Sequence, residues 1–490
     1  MLPPLIQRAQ RSGERGVTMP LVALSLVAIL SFAALSIDLG ALYEAKAEAQ
    51  RAADAAALAA AQVISTEGVT GDPVNGGTDG DWVQICGGVN SFATLAAKNV
   101  ANQNLIGGAP ATLVNVYYGT SAGGVTNTDC TGVGTGFGIN PVVSVYVQQA
   151  NLPNFFARIF SFINNGTSSN SGVSATAFAE AFNPSNSGGG SVIPVQPRCV
   201  KPWMVPNLDP LHAVGCTTLC TGFVDLATGS IETPGVYTQN LGVIGERFWL
   251  VPDCGTVAPC GILSPPQANY ATAGVLGADL QYLPGQAPLN TPVALASDGS
   301  TACAAVASAA NNYAPAIAGC DQSTAYQCGV QGANTVDLSE NPGLPLNSDT
   351  SNGVQCLIHQ STANISQLYG QDALQPTGTL TGGAAPYYPF QIEVGTSNPL
   401  IAAGVPNGST ITSSNNIVSL PIYDSTAVTT FGTGTTAVTI VGFLQVFINV
   451  VDGNGDAYVT VMNVSGCGNS ASNPPVYGTS PVPVRLITPP

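Results

Sequence analysis

Val17–Ile37 reads VTMPLVALSLVAILSFAALSI, and Asp38–Ile64, DLGALYEAKAEAQRAADAAALAAAQVI, follows it without a break. The first stretch holds twenty-one residues and no charge. As an α-helix it would span ~31 Å, the thickness of a bilayer's hydrocarbon core. Arg8, Arg11 and Arg15 precede it, while Asp38 and Glu44 follow, so the positive-inside rule keeps the N-terminus in the cytoplasm and sends everything after Leu39 outward. The competing reading is a cleaved secretory signal, whose apolar region runs about 7 to 15 residues and ends at a small-x-small site. Here the run is longer, and helix-forming residues continue with no proline or turn cluster. The pattern predicts an uncleaved transmembrane helix that runs into an Ala-rich helix. Pro20 lies near the start, where its missing N–H costs little.

Asp38–Ile64 is built mostly from strong helix formers, with Glu48 and Arg51, and Arg51 and Asp54, spaced three apart for side-chain pairing. Leu42, Ala45, Ala49, Ala52, Ala56, Ala59 and Val63 form a stripe of small side chains that another backbone can approach closely. Two readings stand side by side: a partner-binding helix just outside the membrane, giving a homo- or hetero-oligomer, and a helix packed on its own domain.

These residues carry a resemblance. Arg15-Gly16, the apolar span, Ala34-Leu35-Ser36-Ile37-Asp38-Leu39-Gly40 and Gln50-Arg51-Ala52-Ala53-Asp54-Ala55-Ala56-Ala57-Leu58-Ala59 together resemble the N-terminal segment of the TadE/TadG-like family of the Flp, or tight-adherence, pilus-assembly system. Phe155–Phe160, Val173–Ala177, Ile417–Tyr423 and Val441–Phe443 are similar to stretches of longer TadG-like proteins. The resemblance implies a non-enzymatic, single-pass component of the bacterial inner membrane, its body periplasmic, with the membrane and other pilus-assembly envelope proteins as partners. Two family features do not carry over. The fifth position after Gly16 is Leu21 rather than the Glu of pseudopilins, and Asp321–Ala325 and Asp337–Asn341 lack the final Ser of an Asp-x-Ser-x-Ser adhesion site.

Charged residues are 8% of the chain, against about 25% in an ordinary soluble domain. Beyond Leu39 there are 8 Lys+Arg and 25 Asp+Glu, a net charge of −17. That balance repels phosphate backbones, so no nucleic-acid partner is expected. Twelve cysteines, Cys86, Cys130, Cys199, Cys216, Cys220, Cys254, Cys260, Cys303, Cys320, Cys328, Cys356 and Cys467, all follow the apolar segment. An even count in an oxidising compartment reads as a disulfide framework whose connectivity sequence leaves open, with Cys254–Cys260 and Cys320–Cys328 able to close short local loops.

The fold class expected is α+β: the anchor and Ala-rich helix, then β-rich, disulfide-containing extracytoplasmic domains. The divisions expected are a cytoplasmic tail (1–16), transmembrane helix (17–39), Ala-rich helix (40–66), small α+β module (67–182), linker (183–197), Cys-rich loop and strand region (198–360) and C-terminal β-rich region (361–490). Within them, Ser91–Asn104 reads as an amphipathic helix and Asn154–Ile163 as a short apolar one. Leu113–Tyr118, Val142–Gln149, Val173–Phe182, Ile417–Tyr423, Ala437–Val451 and Ala457–Val464 read as strands. Asp452-Gly453-Asn454-Gly455-Asp456 reads as a hairpin turn, since a calcium loop wants Gly where Ala457 stands and Glu where Asn463 stands.

No catalytic residue, cofactor or metal ligand is assigned. His212 and His359 are the sole histidines, no Gly-x-Ser-x-Gly elbow accompanies them, and Cys216–Cys220 has the wrong spacing for a zinc knuckle. A pocket joining either histidine to a Ser or Cys and an Asp would point to an enzyme instead. The alternative from another class is a surface-directed adhesin or binding module sharing only the anchor.

Overall fold

A computed structural model describes residues 18–73, 81–121, 124–134, 136–152, 171–186, 194–212, 221–237, 242–252, 268–269, 278–285, 299–309, 312–321, 326–337, 346–375, 388–427, 435–467 and 475–488. The described helices are α1 (Thr18–Thr66), α2 (Asp81–Cys86), α3 (Phe92–Gln103), α4 (Gly136–Ile139), α5 (Thr301–Ala307), α6 (Tyr313–Ala318) and α7 (Leu346–Ile358). The described strands of the first half are β1 (Leu113–Thr120), β2 (Gly124–Asn127), β3 (Pro141–Leu152), β4 (Ser171–Ala181), β5 (Val195–Pro197), β6 (Trp203–Pro206), β7 (Arg247–Pro252), β8 (Ala268–Asn269) and β9 (Ala278–Pro284). Those of the second half are β10 (Asn334–Asp337), β11 (Ala373–Gln375), β12 (Gln391–Glu393), β13 (Thr410–Ile411), β14 (Ile417–Tyr423), β15 (Thr435–Val438), β16 (Ile440–Val451), β17 (Ala457–Gly466), β18 (Val476–Gly478) and β19 (Val484–Ile487). The chain is therefore α+β, a long apolar N-terminal helix followed by a β-rich body with disulfides. It divides into two compact units, one of Met1–Ala55, Asn99–Asn115 and Tyr146–Thr176, the other of Ala56–Lys98, Val116–Val145 and Ala177–Pro490.

The apolar and Ala-rich stretches form one unbroken helix of 49 residues. Gly68 ends it. At φ +68° it occupies the left-handed region open to glycine, and a Cβ there would run into the Met462 carbonyl and the Ile244 side chain.

β6, β14, β16, β17, β7 and β9 lie side by side in that order, and β9 also pairs with β6, so the six strands close into a ring extended by β8. Closure removes the free edges of the long strands. β16 and β17 pair antiparallel through the turn at Asp452–Asp456, with Val451 opposite Ala457. Asp452 Oδ1 accepts the N–H groups of Asn454 (2.8 Å) and Asp456 (2.9 Å), giving the hairpin expected. Every residue of β17 is buried, so both its faces are covered and the one-sided alternation of a solvated sheet is lost. Trp203, Phe248, Tyr282, Leu420, Leu444, Phe447 and Val461 belong to the main core cluster.

A second sheet has the order β19-β4-β3-β1-β2. Its edge strand comes from the far end of the chain: β19 pairs antiparallel with β4, and Arg485 Nε meets Glu180 Oε1 at 2.5 Å. The segment read as a linker is held at both ends. Asn183 is buried and donates to the Val464 carbonyl (2.9 Å), while β5 pairs with β18.

Four disulfides join described cysteines: Cys86–Cys130, Cys199–Cys320, Cys303–Cys356 and Cys328–Cys467. The local Cys320–Cys328 loop is thus corrected. Cys328 bridges to Ile440 at the start of β16, which brings it to Cys467 just beyond β17, across 139 residues of sequence. Cys216, Cys220, Cys254, Cys260 and the helix expected at Asn154–Ile163 lie outside the described residues.

Candidate functional site

α1 changes character along its length. Leu21, Leu24, Ile29, Leu30 and Phe32 are between 60% and 74% exposed, whereas Ala49, Ala52, Ala53, Ala56, Ala57, Ala60 and Ala61 are 0% exposed. Large apolar side chains left this exposed mark a surface suited to lipid. α1 is long and apolar enough to cross a membrane.

The stripe expected to bind a partner divides accordingly. Ala45, Ala49, Ala52, Ala56 and Val63 are buried within the chain, and Leu42 and Ala59 are half-buried. Immediately after the apolar span, Ala41, Leu42, Glu44, Ala45 and Glu48 line an open groove of about 350 Å³ with Gly107, Gly108 and Leu152. Gly107 donates its N–H to Glu48 Oε2 at 2.7 Å, from a left-handed backbone at φ +59°. Nothing in the sequence links residues 107–108 to this groove, because the approach depends on how the intervening chain folds back.

Residues 16–63 match the Tad family model, "Putative Flp pilus-assembly TadE/G-like". This Tad-like segment takes in the Arg15-Gly16, Ala34–Gly40 and Gln50–Ala59 motifs apart from Arg15, and it covers α1 from its first residue to Val63, so the resemblance read in the sequence is borne out there. No curated protein and no solved structure matches the chain.

Beyond the Tad-like segment, the described buried ionisable groups with shifted protonation include Glu67, Lys201 and a cluster around His212. Burial pushes the Glu67 carboxyl well above its ordinary range, although the Phe390 N–H, 2.6 Å away, pulls it back in part. Burial brings the Lys201 ammonium down to about 7; its Nζ donates to the carbonyls of Ile317 and Gly319, both at 2.7 Å, at the C-terminal end of α6.

The cluster joins Asp209, His212 and Glu246. Asp209 and His212 lie on the loop after β6, where Asp209 Oδ1 accepts the N–H groups of Leu211 (3.0 Å) and His212 (3.1 Å). Glu246 stands directly before β7, held by backbone bonds to β17: Val461 donates to its carbonyl at 2.8 Å. His212 Nδ1 is 2.8 Å from both Asp209 Oδ2 and Glu246 Oε1. Burial lowers the tendency of His212 to hold a proton, but Asp209 and Glu246 outweigh it and carry the imidazole up to about 10. Burial, then the charge of Asp209, raise the Glu246 carboxyl well above its ordinary range. The sequence shows only Asp-x-x-His; Glu246 joins through the tertiary fold. The described surroundings of His212 contain a threonine, Thr233, whose hydroxyl reaches Asp209 Oδ2 at 3.3 Å. His359 Nε2 contacts Asn415 Nδ2 at 3.2 Å.

Proposed function

We propose that this chain is a non-enzymatic component of a Flp-type pilus assembly and secretion apparatus, anchored in the inner membrane by α1 with its N-terminus cytoplasmic and its β-rich body periplasmic. The observation that carries the reading is the division of α1: a lipid-suited half with bulky exposed side chains runs straight into a half whose alanines are buried in the body, within the very segment that matches the pilus-assembly family. Eight disulfide-bonded cysteines after the span agree with an oxidising compartment. Contacts with other envelope components fall at the groove beside Leu42 and Ala45, where α1 leaves the apolar span.

The test is photo-cross-linking from position 42 in the native cell, with Phe32 and Leu226 as control positions, followed by identification of the adducts. Pilus ATPase, platform or secretin-type adducts specific to position 42 support the reading. A body digested by protease on intact cells, with no such adducts, would replace it with the adhesin.

A further inference from the structure

We propose that Asp209, His212 and Glu246 bind a divalent transition-metal cation, with Zn(II) the best-suited ion. One donor atom from each residue lies within 4.8 Å of the others. Asp209 and Glu246 are 0% exposed and the His212 side chain is 6% exposed.

Hydrogen bonding around His212 is unbalanced. His212 Nδ1 is 2.8 Å from oxygens of two carboxylates, yet one ring nitrogen carries at most one proton. The contact with Asp209 Oδ2 has hydrogen-bond geometry. Both oxygens of Glu246 are left buried without a hydrogen-bond donor. A fully buried carboxylate normally finds donors or a cation, and this one faces a second carboxylate and a single imidazole. With both carboxylates ionised and the imidazole cationic, the cluster carries one net negative charge. A dication placed among Nδ1, Oδ2 and Oε1 supplies what is missing and lets the imidazole bind as the neutral ring, its proton on Nε2.

Distances and donor types fit. Ligands about 2.0–2.2 Å from a tetrahedral ion lie roughly 3.3–3.6 Å apart, so the 2.8 Å contacts seen here need open by only about half an ångström to admit one. A mixed imidazole and carboxylate set suits Zn(II), Fe(II) or Mn(II) better than the all-oxygen preference of Ca(II) and Mg(II). The frame is rigid: Asp209 N–H is held by the Thr221 carbonyl (2.9 Å) and Gly245 N–H by the Val461 carbonyl (2.8 Å). An ion here would tie the loop after β6 to the start of β7, a structural role independent of the pilus reading.

The experiment uses the full chain in detergent, stripped with chelator, then titrated with Zn(II) by calorimetry and assayed for retained metal after gel filtration. One Zn(II) per chain is expected, with affinity at least tenfold weaker in Glu246→Gln and in His212→Gln. Both variants remove a donor while keeping side-chain size, and circular dichroism checks that each is folded. The wild-type protein supplies a readout that needs no variant: zinc X-ray absorption should show nitrogen and oxygen neighbours alone. No saturable binding, binding unchanged in a folded variant, or a sulfur shell around the zinc would each overturn the proposal.

Discussion

The two halves of α1 share one backbone and face opposite surroundings. From Met19 to Leu39 the large side chains are apolar and about half or more exposed; from Ala49 to Ala61 the side chains are mostly methyl groups, many of them wholly buried. The difference teaches that burial along this helix follows what packs beside it rather than side-chain type: Ala23, Ala28 and Ala33 are exposed in the first half, while Val63 and Ile64 are buried in the second. Lipid accepts any bulky apolar surface without a defined partner. A folded body demands complementary shape, and alanine lets neighbouring backbone come close at little loss of side-chain entropy.

The largest effect should come from charging the buried half. Ala56→Glu puts an unpaired carboxylate at a 0% exposed position and is expected to destabilise the body by about 4 kcal/mol or more, read as a lowered urea midpoint or failure to fold. A change below about 1 kcal/mol would mean that this half is not packed as described. Charging the other half should do something else. Leu30→Lys, at a 60% exposed position, is expected to leave the body's unfolding unchanged and to disfavour membrane insertion by about 3 kcal/mol, measured as protein released by alkaline extraction. Loss of body stability instead would erase the distinction.

Size provides a finer contrast. Ala60→Leu overfills a closed position and should cost about 1–3 kcal/mol in urea unfolding, while Leu30→Ala, which shrinks a side chain in the lipid-suited half, should leave that unfolding midpoint where it is. Equal effects from the two would break the comparison. The smallest effect sits one residue beyond the helix. Because Glu67 has its folded-state carboxyl raised above the ordinary value of 4.5, its contribution to stability is fully present below that pH and is lost as pH rises toward the folded value. Glu67→Gln keeps an acceptor for the Phe390 N–H and should flatten this part of the decline in unfolding free energy above pH 4.5. A slope identical to that of the parent would remove Glu67 from the account.

The hairpin of β16 and β17 was legible because Asp452–Asp456 concentrates turn-forming residues between two β-branched runs. The ring that hairpin helps to close was not. Its remaining strands are short and far apart, and the β6–β9 pairing involves Trp203 with Pro284 and Met204 with Leu283, a match that no local pattern announces. The disulfides divide in the same way. That the cysteines pair follows from their number and from their position after the span, but Cys328 reaches Cys467 instead of Cys320 because the sheet, not the spacing, sets the distance.

By itself the sequence determined what is local or compositional: the apolar run, its length and flanking charges, the alanine tract with its family signature, and an acidic, cysteine-bearing remainder. These depend on neighbours along the chain, where periodicity and charge act directly. Tertiary structure alone decided that the alanine stripe is buried, that a C-terminal strand completes the sheet built on β4, and that Glu246 meets Asp209 and His212. Each of those joins residues distant in sequence, and the physical cause is the same: side chains are brought together by the closure of sheets around a shared core, a property of the whole chain that no window of residues contains.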